Sequence, residues 1–177
     1  ITCVNPDDDP RFRQYWQAYH QVMGRRGVGP EAAKASVHRS NTIIAALMVH
    51  LGDADGMLCG MHGRFDAHLE NIENIIGLQP GATTLATLSA LSMDKRTLFI
   101  ADTYVNETPT AEQLARIALK SAEQVRTFGL PPKVAFISHS NYGSSRRESA
   151  RRVREAYEIF RGMAPDVECD GEMHGDA

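Results

Sequence analysis

The sequence predicts a layered α/β fold with a mostly parallel sheet and one antiparallel element. Short apolar runs alternate with longer amphipathic stretches throughout the chain. At Lys133-Val-Ala-Phe-Ile137 an apolar run passes directly into small polar residues and then a helical pattern, the signature of a strand feeding a βα turn. Two strand-like stretches are joined only around Asp94-Lys95-Arg96, a connection too short for a parallel crossover.

Taken in order, Ile1 to Val4 reads as a strand remnant and Asn5-Pro-Asp-Asp-Asp-Pro10 as an acidic turn. Phe12, Tyr15, Trp16 and Tyr19 follow at i, i+3, i+4 and i+7, giving a helix with one aromatic face suited to core or subunit contact. Gly24 to Gly29 breaks it, and Pro30 opens a second helix, since proline is favoured in the first turn. Ser40 or Asn41 caps a third, Thr42 to Leu51, which Gly52 ends. Met57-Leu-Cys59 reads as a short buried strand delivering Gly60-Met-His-Gly-Arg64, and Asp66 to Ile76 as a helix. Thr84 to Met93 and Thr97 to Ala101 form the antiparallel pair. Thr110 and Gln113 start a strong helix ending near Gly129, and Pro131-Pro132 forbids its continuation. Ser145 and Glu148 have capping-box spacing, which places the last helix start near Ser145. Asp170-Gly-Glu-Met-His-Gly-Asp176 looks like a strand end meeting the C-terminus, and with Ile as first residue both ends read as cuts through a larger polypeptide.

The 177 residues fit one domain or two small lobes. A net charge of -3 argues against nucleic-acid or anionic-membrane binding, and no apolar run reaches the roughly 20 residues of a bilayer span. A cytoplasmic location is expected. Cys3, Cys59 and Cys169 are odd in number and widely spaced, so they read as reduced thiols, with Cys59 as packing.

Three polar segments fall at carboxyl ends of expected strands: His62 and Arg64, Asp102 and Thr103 with Asn106, and Ser138, His139, Ser140, Asn141, Gly143, Ser144 and Ser145. In an open α/β sheet such ends converge on one crevice. Arg64 and helix N–H groups would supply positive potential, the serines and Asn141 directional hydrogen bonds, and Gly143 room for close approach. A phosphorylated or carboxylated ligand suits that set. Five arginines, Arg146, Arg147, Arg151, Arg152 and Arg154, crowd the following helix, where a docked anion or Glu148 and Glu155 would balance them. Gly52-Asp-Ala-Asp-Gly56 lacks the glycine and distal glutamate of a Ca²⁺ loop and reads as a helix stop, with Asp55 free to pair with an arginine. No histidine pair has zinc-ligand spacing, so no metal is expected. Walker, Gly-x-Ser-x-Gly and Gly-x-Gly-x-x-Gly motifs are missing from the sequence.

Arg25-Arg-Gly-Val28, Gly52-Asp-Ala-Asp-Gly56, Leu98-Phe-Ile-Ala-Asp-Thr103, Ser138-His-Ser-Asn-Tyr-Gly-Ser-Ser145 and Ala164-Pro-Asp-Val167 with Asp170-Gly-Glu-Met-His-Gly-Asp176 together resemble the phosphate acetyl/butyryltransferase family. The likeness is greatest to its version fused to the C-terminal side of bacterial NADP-dependent malic enzymes. The resemblance implies a three-layer α/β/α sandwich of the isocitrate/isopropylmalate dehydrogenase type, with two lobes and a cleft, approximately 1–60 plus 131–177 and 61–130. It also implies a dimer or larger homo-oligomer and coenzyme A thioesters or acyl phosphates as ligands.

Active members typically carry Leu-Arg-Lys-x-Lys-Gly and a Thr-Leu-Arg-Pro-type segment, where this chain has Val22-Met-Gly-Arg-Arg-Gly27 and Ala67-His-Leu-Glu-Asn71. Met23 and Glu70 thus stand in place of two arginines, and a further family segment, Asp-Leu-Ser-Arg-Gly, belongs downstream. The resemblance therefore implies a regulatory and assembly module that senses acetyl-CoA, with no catalytic residues or cofactor of its own. NADP, divalent metal and the malate and nucleotide-binding domains would belong upstream. Two alternatives stay open: an active phosphate acetyltransferase with Arg64 replacing a lost arginine, and an assembly scaffold built on the aromatic face.

Overall fold

In a computed structural model, residues 3–94, 96–103 and 105–177 are described. The strand remnant expected at the N-terminus lies partly outside them, and Cys3 and Val4 are irregular. The chain groups into two compact units, Ile1–Pro80 and Gly81–Ala177. The expected partition gave 61–130 a lobe of its own, whereas the contacts divide the chain between Pro80 and Gly81.

The first unit is helical: α1 (Phe12–Met23), a 3-10 turn, α2 (Pro30–Arg39), α3 (Asn41–Leu51) and α4 (Phe65–Ile75). Local rules explain the boundaries. Pro30 sits in the first turn of α2, Ser40 accepts the Ile43 N–H at the start of α3, and Gly52 ends α3 in a left-handed conformation with φ 80°. Tyr15 and Tyr19 are buried with Val37, Ile43, Ile44, Leu47 and Ile75, while Phe12 and Trp16 pack against the same cluster. Two of the four aromatic residues of the α1 face are therefore absorbed into the core of its own unit, and Phe12 and Trp16 stay partly exposed. Met57–Cys59 form no strand, because among the described residues this unit offers no second strand to pair with. Leu58 is fully exposed and Cys59, expected to pack, is exposed beside it.

The second unit opens with an antiparallel hairpin, β1 (Leu88–Met93) and β2 (Arg96–Ala101), registered from Leu88 with Ala101 to Met93 with Arg96. The strand expected from Thr84 starts four residues later, at Leu88, with Thr87 O accepting from Asp102 N just beyond the first registered pair and Thr84 Oγ1 accepting from Gln113 Nε2. Next come α5 (Ala111–Thr127), β3 (Lys133–Ile137), α6 (Glu148–Met163) and β4 (Glu168–Met173). The capping box of α5 forms as its sequence dictates, with Thr110 and Gln113 bonded reciprocally. β3 and β4 pair in parallel across the α6 crossover. Phe136, Ala156, Phe160, Ala164 and Val167 make the core with Ala115 and Ala118 of α5.

The α/β class holds, but the mostly parallel sheet does not: the strands form two separate two-stranded sheets. Nor is β3 covered on both faces. Phe136 is buried against α6, whereas Ala135 and Ile137 on the opposite face are exposed. The last helix starts at Glu148, two residues later than a capping box on Ser145 requires, with Arg147 at the N-cap and no side-chain cap. Ser145 Oγ accepts instead from Arg147 N at 3.3 Å, a local turn that competes with helix capping.

Candidate functional site

The β3–α6 turn, 138–145, is built around one carboxylate that the sequence reading passed over. Glu172 lies in β4, where the pairing steps from Phe136 opposite Gly171 to Ile137 opposite Met173, so Glu172 is the extra residue of a bulge. Its side chain is fully buried. Oε1 accepts from Ser140 Oγ at 2.6 Å and Gly143 N at 2.9 Å, with Arg154 Nη1 at 3.5 Å. Burial opposes ionisation, but Ser140, the Gly143 N–H and the Arg154 charge outweigh it and hold the carboxyl below its ordinary value.

The rest of the turn closes on itself. Asn141 N donates to Ser144 Oγ, Tyr142 N to Glu172 O, Ser144 N to Asn141 O and Ser145 N to Ser140 Oγ. With Gly143 N on Glu172, each backbone N–H from Asn141 to Ser145 has an acceptor within the chain. Tyr142 and Gly143 have φ values of 46° and 88°, and their successive N–H groups both meet Glu172, Tyr142 at its main-chain carbonyl and Gly143 at its carboxylate. Asn141 Oδ1 accepts from His174 N at 2.6 Å, tying the turn to the end of β4. His139 is exposed, with Nε2 3.5 Å from Ser145 Oγ.

Asp102, Thr103 and Asn106 serve the hairpin. Asp102 has φ 55°, its N–H donates to Thr87 O, and its carboxylate accepts from Asn106 Nδ2 at 2.5 Å. Thr103 Oγ1 lies 2.9 Å from Ser89 Oγ. Among the described residues no hydrogen bond joins this group to the 138–145 turn.

His62 and Arg64 belong to the first unit. The Arg64 guanidinium, largely exposed, makes a two-pronged ion pair with Asp66 that the sequence reading did not foresee. His68 Nε2 meets His62 O at 2.5 Å and Nδ1 meets Thr42 Oγ1 at 2.8 Å, so the ring fastens the 62–63 turn to α3. Gly52 to Gly56 is a helix stop, and Asp53 accepts from Tyr15 OH at 3.0 Å.

The arginines of α6 are mostly neutralised internally. Arg151 pairs with Glu155, Arg152 with Glu148 and Arg154 with Glu172, each at 3.5 Å. Arg146 and Arg147 are exposed and have no acidic partner among the described residues. A cavity of about 270 Å³ lies between the start of α5 and α6, lined by Thr110, Glu148, Arg151, Arg152 and Glu155 among others, and includes nothing from 138–145. Its charges are already paired, so we assign it no ligand. Among the described residues no group of three or more His, Cys, Asp or Glu side chains could hold a metal ion, and no helix is long and apolar enough to cross a membrane.

The model of the family described as "Phosphate acetyl/butaryl transferase" matches residues 1–177. The chain is 49% identical over 174 residues to an "NADP-dependent malic enzyme" of Salmonella typhimurium, covering 98% of this chain and 23% of that protein. It is 32% identical over 177 residues to a "Phosphate acetyltransferase" of Nitratidesulfovibrio vulgaris, covering 100% of this chain and 25% of that protein. The solved phosphotransacetylase of Streptococcus pyogenes superposes with a TM-score of 0.85 at 30% identity, covering 98% of this chain and 53% of the other. The chain thus spans about a quarter of the curated relatives' length.

Proposed function

The chain belongs to the phosphate acetyl/butyryltransferase family, and on that premise we propose that it is a sensing module of a malic-enzyme polypeptide, binding acetyl-CoA as an effector without transferring its acetyl group. In this reading it folds as part of a two-lobed, isocitrate-dehydrogenase-like sandwich with a cleft and joins a cytoplasmic homo-oligomer. Malate decarboxylation to pyruvate, with NADP and a divalent metal, belongs to other segments. Among the described residues no group of three or more His, Cys, Asp or Glu side chains is placed to hold that metal.

The observation that carries the reading is the fate of the two positions where active relatives hold arginine. Met23 packs against the helical core of the first unit, and Glu70 is an exposed acid. Each guanidinium bond to a phosphate contributes about 1.5–3 kcal/mol, and an acid in its place adds repulsion. Arg64 is exposed and paired with Asp66, which competes with a phosphate for its guanidinium. Greater identity to the malic enzyme than to the phosphate acetyltransferase points the same way. For the ligand, the turn offers the exposed His139 and the half-buried Ser145, and the first turn of α6, capped by no side chain, with Arg146 and Arg147 beside it. The scaffold alternative is weakened, because Tyr15 and Tyr19 of the aromatic face are buried in their own unit and only Phe12 and Trp16 keep partial exposure.

Titration calorimetry of the full-length polypeptide with acetyl-CoA should show saturable binding, and saturating acetyl-CoA should change malate turnover. Acetyl phosphate and coenzyme A should yield no acetyl-CoA above background. Heat-silent titrations with unchanged turnover would sink the sensing role, and acetyl-CoA formation abolished by Arg64→Ala would establish the transferase instead.

A further inference from the structure

Anion-binding turns present a ring of N–H donors to an external guest. Here the ring is filled from within. Tyr142 N reaches the Glu172 main-chain oxygen at 2.8 Å and Gly143 N reaches its carboxylate at 2.9 Å. Ser140, itself fully buried, adds a third donor, and its Oγ in turn accepts from Ser145 N at 3.0 Å. A buried carboxylate without partners is strongly disfavoured, so the Ser140 and Gly143 donors and the Glu172 carboxylate require one another. The geometry of β4 supports that arrangement. The bulge takes Glu172 out of the strand's alternation, and Gly171 lets the two strands approach so closely that a Cβ there would lie 2.7 Å from Phe136 O.

Resting on the reading of 138–145 as the ligand turn, we propose that Glu172 is a positioning residue, a built-in anion that pre-forms this turn, with Arg154 as its counter-charge. The effector does not enter the donor ring. It meets only the outer face: His139, Ser145 and the opening of α6. Arg154 links the two faces, since Nη1 lies 3.5 Å from Glu172 and Nη2 3.5 Å from Ser145 O. An organised turn binds without first having to order itself, and affinity falls in proportion to the fraction of molecules holding the competent form. Glu172 sets that fraction.

The test is amide hydrogen exchange on the full-length polypeptide, with and without acetyl-CoA, for wild type, Glu172→Ala and Glu172→Gln. Loss of the carboxylate should speed exchange across 141–145 by roughly ten- to a hundredfold. Glu172→Gln keeps an acceptor oxygen but no charge and should fall between. Formate, a free carboxylate small enough for the vacated space, should restore protection in Glu172→Ala and leave wild type unchanged. Acetyl-CoA should bind Glu172→Ala at least about tenfold more weakly, with formate recovering affinity. Unchanged exchange in both variants would overturn the proposal, as would, where wild type binds acetyl-CoA, variants that exchange faster yet bind it as tightly as wild type. Should Glu172→Ala fail to fold, the Gln variant decides on the same two readouts. If wild type shows no acetyl-CoA affinity, the sensing role falls, while formate-reversible exchange still establishes the pinned turn.

Discussion

Tyr15 illustrates how one side chain joins a core to a helix end. Its ring is fully buried among α2 and α3 residues, and its hydroxyl donates to Asp53 just beyond the Gly52 stop. Burial, reinforced by the Asp53 carboxylate, pushes its pKa from 10 up to about 12. A folded value above the unfolded one means that the contribution is complete below pH 10 and is lost as pH rises through about 12. We expect the melting temperature of wild type to drop across that window more steeply than that of Tyr15→Phe. At neutral pH the same variant should lose about 1–2 kcal/mol with the hydrogen bond, measured by urea denaturation. A variant curve parallel to wild type from pH 10 to 12 would show that Tyr15 does not titrate with unfolding.

At the scale of elements, β4 shows why the sequence was partly legible. Helix limits follow from neighbours in the chain, and Pro30, Ser40, Gly52 and the Thr110–Gln113 box act as local chemistry requires. Strands depend on partners elsewhere. Met57–Cys59 has strand composition but no ladder, and Ala135 and Ile137 lie on an open face, so an apolar run misled in both places. The turn at 138–145 was legible from its small polar residues, but what fills it was not, because Glu172 lies 32 residues from Ser140 in sequence. The visible sign was Glu172 itself, one of two acids in Asp170-Gly-Glu-Met, a charge in a segment read as a strand end. Gly171 ties these features together: φ is 137° and a Cβ would fall 2.7 Å from both Cβ and O of Phe136. Gly171→Ala should therefore cost about 1–3 kcal/mol, the range for a forced core contact. It should also loosen the 141–145 amides, whereas Gly175→Ala, with open space around it, should do neither. Denaturation midpoints and exchange rates measured together separate the two variants.

For the molecule as a whole, charge arrangement matters more than charge total. The net value of -3 gives no general attraction for an anionic ligand, and the crowded basic face of α6 largely cancels against Glu148, Glu155 and Glu172. On that face Arg146 and Arg147 remain exposed and unpaired among the described residues, at the end of α6 where backbone N–H groups also point outward. A phosphorylated effector would therefore be drawn by a local field, and exposed charges act through solvent that salt screens within about 10 Å at 0.1 M. Raising ionic strength from about 50 to about 500 mM should weaken acetyl-CoA binding to the full-length polypeptide severalfold. Arg146→Gln with Arg147→Gln should flatten that dependence as well as lower affinity, while Arg151→Gln, which removes an arginine already paired with Glu155, should leave the slope near wild type. Calorimetric titrations at four or five salt concentrations check this. A slope that survives the double substitution would place the effector's charged groups elsewhere on the surface.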